Sequence, residues 1–133
     1  MMATETLVRE VDFIIAINAD RYDYVTHAAY ADWLQEQGRE GEASRRRLIK
    51  ADAERIAKYL PLHPELRDAT EKSLRSRLRY HAKRRGLYAY LHIYFISEWL
   101  ISNEKRTVQL YQGPTTLGAL LWLMHEWTPS EQR

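Results

Sequence analysis

The side chains that could do acid–base or metal chemistry are dispersed along this chain of 133 residues. The five histidines show neither the His-x-x-x-His nor the His-Glu-x-x-His spacing of a zinc site, and no cysteine is present to complete a ligand set. They are His27, His63, His81, His92 and His125. Glu126 follows His125, but no nucleophile stands in a recognisable activating motif. The five glycines are too scattered to form a phosphate loop. We therefore expect no enzyme active site and no cofactor.

Four acidic residues near the N-terminus could in principle hold Mg²⁺ or Ca²⁺: Asp20, Asp23, Asp32 and Glu36. Their spacing lacks the glycine and the final glutamate of a calcium loop. Asp20 and Asp23 fit a turn and a helix cap, and Asp32 could pair with a cation from the next helix. We expect no metal site here.

Charge is divided unevenly along the chain. Residues 1–43 hold 3 arginines and 9 acidic residues, a net charge of −6, whereas residues 44–85 hold 14 lysines and arginines against 5 acidic residues, a net charge of +9. Such asymmetry favours a polyanionic partner, or an acidic end that folds back on the basic middle.

The basic segments 44–58 and 72–85 could bind a nucleic-acid backbone, with Tyr80 and His81 placed to stack on bases. The alternative is an ordinary solvated helix face. The candidate contact residues are Arg45, Arg46, Lys50, Arg75, Arg79, Lys83, Arg84 and Arg85.

Aromatic residues are concentrated in the C-terminal third. Tyr88, Tyr90 and Tyr94 share one face if their segment is a strand, and a tyrosine-lined face is typical of a protein-docking surface. The leading hypothesis is a non-catalytic binding or adaptor protein that engages a protein partner, or a second copy of itself, through this face and the charged helices. Nucleic-acid binding is the alternative. The sequence identifies neither the partner nor the pathway.

Apolar periodicity predicts four helices in the N-terminal two-thirds of the chain, over about residues 4–18, 24–38, 42–60 and 64–86. Asp23 is placed to cap the second helix, and Gly38 and Gly86 are placed to end the second and fourth.

After Gly86 the pattern changes to alternation of apolar and aromatic residues. Residues 87–101 favour a strand, although a helix also fits, and residues 106–112 read as its partner in a hairpin. Thr115 then caps a closing helix to about Trp127. We predict one α+β domain over residues 1–133, with an all-α fold as the runner-up. The N-terminus carries no export signal, and residues 87–101 are too short and polar to span a membrane, so the cytoplasm is the expected location.

One stretch carries a resemblance to a known family. An apolar run at residues 13–17 is followed by an acidic turn at residues 20–23, a Tyr-Ala-Asp-Trp-Leu helix at residues 30–34 that ends in Gly38, and a basic helix at residues 43–48. Residues 11–48 thereby resemble the repeat-companion domain, a small domain of planctomycete and related bacterial proteins. The resemblance implies a fold and no assigned activity. Helical spacing separately predicts structural roles for four residues of this stretch: Tyr30 and Trp33 on a packed face, Asp32 at its edge and Gly38 as the helix stop.

Overall fold

The computed structural model describes residues 2–20, 23–93 and 97–129, with the backbone alone for residues 2–8, 93 and 97. The α+β class is confirmed, and the all-α alternative is wrong. The helices are α1 (Met2–Ala19), α2 (Tyr24–Glu36), α3 (Glu40–Tyr59), α4 (Pro64–Arg67), α5 (Glu71–Arg84) and α6 (Thr116–His125), with a short 3₁₀ turn at Leu60–Leu62. The strands are β1 (Leu87–Ile93), β2 (Ser97–Asn103) and β3 (Gln109–Gly113). Within the predicted single domain, the chain forms two compact units, an N-terminal unit (Met1–Glu54) and a C-terminal unit (Arg55–Arg133).

An aromatic cluster forms the core of the N-terminal unit. The buried side chains of Tyr30, Trp33 and Leu34 pack together, and Phe13 of α1 covers them. The Phe13 ring stacks on Tyr30 with 5.1 Å between centroids and an interplanar angle of 8°. Trp33 is 8% exposed, so it belongs to the core as expected.

The predicted ends of α2 are confirmed. The carboxylate of Asp23 accepts a hydrogen bond from the backbone N–H of Thr26 at 3.3 Å, which satisfies one of the free donors of the first turn. Gly38 has φ of +77°, a left-handed conformation that glycine adopts at little cost. There the chain leaves the helix, and the backbone N–H of Arg39 bonds to the carbonyl of Leu34 at 2.9 Å.

The single helix predicted over residues 64–86 is wrong, because the chain leaves helical geometry at residues 68–70. Thr70 has an extended backbone (φ −71°, ψ 158°), and its hydroxyl accepts a hydrogen bond from the backbone N–H of Ser73 at 3.1 Å. A threonine that caps a new helix cannot also continue the old one. The segment is therefore α4 followed by α5, and Gly86 ends α5 with φ of +68°.

The predicted hairpin is instead a three-stranded antiparallel sheet in the order β1-β2-β3. Residues 87–101 form no single strand, since β1 ends at Ile93 and β2 begins at Ser97. In the register, Leu91 lies opposite Trp99, and Ile101 lies opposite Tyr111. These residues share the inner face of the sheet, which packs on α5 and α6.

A buried hydrogen-bond chain joins the sheet to both helices. The indole N–H of Trp99 donates to the hydroxyl oxygen of Thr116 at 2.7 Å, and the Thr116 hydroxyl donates to the carboxylate of Glu71. Trp99 and Thr116 are both buried. No helix among the described residues is long and apolar enough to cross a membrane.

Candidate interaction surfaces

Helix α5 has one apolar side and one cationic side. Leu74, Leu78 and Ala82 are buried and attach the helix to the core of the C-terminal unit. Six of the other positions carry cations and form what we call the α5 cationic face: Lys72, Arg75, Arg77, Arg79, Lys83 and Arg84. Glu71 is the one acidic residue of the helix, and it pairs with Arg75 at 3.0 Å. The face therefore keeps most of its positive charge.

Two other side chains of this face have neutral hydrogen-bond partners. The Nε of Arg77 donates to the hydroxyl of Ser73 at 3.3 Å, and a guanidinium nitrogen of Arg84 donates to the phenol oxygen of Tyr80 at 3.1 Å. Among the side chains of the C-terminal unit that the structure describes, no carboxylate lies within ion-pair distance of five of these cations. The five are Lys72, Arg77, Arg79, Lys83 and Arg84. Tyr80 is 57% exposed among them.

Two predicted contact residues of this segment, Arg79 and Arg85, have neutral partners within the C-terminal unit, and Arg79 is itself exposed. The Arg79 guanidinium lies 5.7 Å from the ring centroid of Trp99, and Arg85 donates to the carbonyl of His81 at 3.0 Å. Partial burial lowers the pKa of His81, and the nearby positive charges, led by Arg85, lower it further. His81 is therefore neutral near pH 7, which suits stacking better than an ion-pair role.

The basic start of α3 differs, because its cations have partners inside the N-terminal unit. The Arg46 guanidinium lies 4.7 Å from the ring centroid of Tyr30, Arg47 approaches Asp32 at 3.6 Å, and Lys50 pairs with Glu54 at 2.9 Å. Arg45 is half-buried. Asp32 therefore pairs with a cation of the next helix, as the sequence predicted, and its side chain is 74% exposed. Segment 44–58 offers less uncompensated charge than α5.

Two of the three predicted docking tyrosines are described. Tyr88 and Tyr90 lie on the outer face of β1, opposite the core, with 5.4 Å between ring centroids. The Arg106 guanidinium lies 3.9 Å from the ring centroid of Tyr88, which is 37% exposed, and Tyr90 is half-buried. Tyr94 lies outside the described residues. The outer face thus presents one exposed ring capped by an arginine.

A contact missed at the sequence level joins two histidines that are 62 residues apart. The Nε2 atoms of His63 and His125 are 2.7 Å apart, and the side chain of His63 makes no capping bond at the start of α4. Burial and the neighbouring His63 lower the pKa of His125. No local spacing could have indicated this pair. In the described part of the chain, no three potential ligands of the histidine, cysteine, aspartate and glutamate types lie together.

Three comparisons with known proteins add no relative: no family model, no curated protein and no solved structure matches this chain. The resemblance of residues 11–48 to the repeat-companion domain accordingly stays a prediction that rests on the sequence alone.

Proposed function

We propose that this chain is a non-catalytic nucleic-acid-binding protein and that the α5 cationic face contacts the phosphate backbone. The observation that carries the proposal is the density of uncompensated charge on α5, where five cations have no carboxylate partner among the described side chains of the C-terminal unit. A phosphate backbone supplies a matching row of negative charges and releases counterions when it binds such a row.

The dimensions of α5 fit this partner. Its 14 residues give a length of about 21 Å, at about 1.5 Å per residue. That length spans about six phosphates of one B-form strand. Tyr80 projects from the same helix and can stack on an unpaired base, a contact that tolerates any sequence. The exposed Tyr80 favours single-stranded nucleic acid bound with little sequence preference. The absence of cysteine fits the reducing cytoplasm, where we propose that the protein acts.

The test compares two double variants that each remove two positive charges. Arg77→Ala/Arg84→Ala alters the α5 cationic face, whereas Arg45→Ala/Lys50→Ala alters α3 and serves as the matched control. Fluorescence anisotropy with a labelled single-stranded oligonucleotide gives the affinity of each at several salt concentrations.

We expect the α5 variant to bind about 60-fold more weakly at about 50 mM salt, because counterion release contributes about 0.7 to the logarithmic salt slope for each phosphate contacted on a single strand. Its slope should be less steep by about 1.4. The α3 control should change far less. Equal losses in both variants, or parent binding without any salt dependence, would refute the proposal.

A protein partner is the second candidate, and the arrangement of Tyr88 beneath Arg106 favours it. An arginine at 3.9 Å from an exposed ring forms a preorganised pair of the two residue types that are enriched at interface hot spots. Under this hypothesis Tyr88→Ala and Tyr90→Ala weaken self-association or partner capture by more than about 1 kcal/mol each. Sedimentation velocity tests association with a second copy. The partner hypothesis would be contradicted if the protein is a monomer and if the parent and the two tyrosine variants capture the same proteins.

A further inference from the structure

The His63–His125 contact belongs to neither proposed surface, and its geometry is unusual for a structural pair. Both rings present the same atom, Nε2, to each other at 2.7 Å, and the ring planes are tilted by 57°. One nitrogen must donate and the other accept, so at least one lone pair already points to the space between the rings. Convergence of two imidazole nitrogens is how proteins begin a transition-metal site.

The surrounding residues hold both rings in place. Tyr59 stacks on His125 with 4.3 Å between centroids and an interplanar angle of 1°, and Tyr59 is itself packed against the core of the C-terminal unit. His63 is held between the 3₁₀ turn and α4, and its side chain is 18% exposed. Solvent can therefore reach the pair. Packed neighbours already position both rings, so no flexible segment has to become ordered to bring them together.

Two nearby features favour a cation at this point. The carboxylate of Glu65 lies 3.5 Å from Nδ1 of His63, which favours the tautomer with the proton on Nδ1 and leaves Nε2 free to ligate. His125 is the last residue of α6, where the C-terminal end of the helix dipole attracts positive charge. The carboxylate of Glu126, the residue after His125, forms an ion pair with Arg55. The amino group of Lys58 lies 5.1 Å from the ring centroid of Tyr59.

We propose that His63 and His125 bind one divalent transition-metal ion of the zinc class through their Nε2 atoms. Two nitrogens at about 2.0–2.1 Å from a tetrahedral ion are about 3.3 Å apart, so the rings must separate by roughly 0.6 Å. Rotation of the exposed His125 side chain supplies this movement. Water completes the coordination, and imidazole ligands select Zn²⁺, Ni²⁺ or Cu²⁺ over Mg²⁺ and Ca²⁺.

The experiment is calorimetric titration of the whole chain with Zn²⁺, repeated with Mg²⁺. The variants are His63→Gln and His125→Gln, with His81→Gln as the matched control because it removes a histidine of the same unit that lies outside the pair. Circular dichroism verifies that each variant is folded. If one of the two pair variants does not fold, the other still tests the proposal.

We expect saturable Zn²⁺ binding by the parent and no binding of Mg²⁺. Each pair variant should lose about tenfold or more in affinity, since loss even of a residue that only orients a ligand costs about 10–100-fold. His81→Gln should bind like the parent. A parent that does not bind Zn²⁺, or folded His63→Gln and His125→Gln proteins that bind as tightly as the parent, would overturn the proposal.

Discussion

Replacing the hydroxyl of Thr116 by a methyl group tests the buried hydrogen-bond chain of the C-terminal unit. Thr116→Val keeps the shape of the side chain but leaves the Trp99 indole N–H without its acceptor at 2.7 Å. Because Trp99 is only 1% exposed, water cannot replace that acceptor. Glu71 loses a donor too, but its side chain is 56% exposed and can bond to water instead.

The expected cost follows from this asymmetry. A buried donor left unsatisfied costs about 1–3 kcal/mol, and the extra buried methyl of valine offsets at most about 0.8 kcal/mol of it. We therefore expect Thr116→Val to lower the free energy of unfolding by about 1–2 kcal/mol. Thr116→Ser is the control: it keeps the hydroxyl, loses one methyl and should cost about 1 kcal/mol or less.

Urea denaturation followed by tryptophan fluorescence measures both variants, and unchanged slopes would show that the compactness of the end states is the same. The reasoning fails if Thr116→Val is as stable as the parent, or if Thr116→Ser is the less stable of the two. Either result would mean that the indole N–H finds another acceptor.

Three further predictions concern other parts of the fold. Trp33→Ala should lower the free energy of unfolding by about 3–5 kcal/mol, as large aromatic truncations in a core do, and a melting curve that overlays the parent's would contradict its burial. The lowered pKa of His81 means that folding disfavours its charged form, so its contribution to stability is complete above about pH 6.5 and falls as the pH drops below that value. In urea melts at several pH values, His81→Gln should show a shallower loss below pH 6.5, and an unchanged profile would contradict this assignment. Gly113→Ala would place a Cβ atom in steric overlap with the Tyr111 phenol oxygen, so thermal denaturation should show about 1–3 kcal/mol of overpacking cost, and a neutral effect would mean that the ring moves freely.

Local rules predicted the helix ends well. Asp23, Gly38, Gly86 and Thr115 all take the capping or terminating role that the sequence indicated, because each role depends on one side chain or on one backbone conformation. Thr70 is the exception. The predicted helix over residues 64–86 placed it in a helical interior, whereas its hydroxyl caps α5.

The strand boundary could not be read from the sequence for a physical reason. The two strands are separated by Tyr94, Phe95 and Ile96, which are strand-forming types with no glycine, proline or asparagine to indicate a turn. Alternation therefore continued to predict one strand where the chain forms two.

The candidate surfaces, too, were only partly predictable from the sequence. The cations of α5 are visible in the sequence, since helical periodicity places them opposite Leu74 and Leu78. Whether a cation has a partner on another helix depends on tertiary contacts, as the approach of Arg47 to Asp32 shows. The meeting of His63 and His125 depends on how α4 and α6 pack, and no spacing rule reaches across 62 residues.

The strand order β1-β2-β3 also bears on how the C-terminal unit folds. Each strand pairs with its neighbour in the chain, and the connections between them are three and five residues long. Closing such short loops costs little chain entropy, whereas the contact between α5 and α6 must bring together segments about thirty residues apart. We expect the sheet to form early, with the two helices docking on it afterwards. Local topology of this kind is associated with fast folding. The folding intermediate in which the inner face of the sheet is still uncovered is then the species most prone to aggregation.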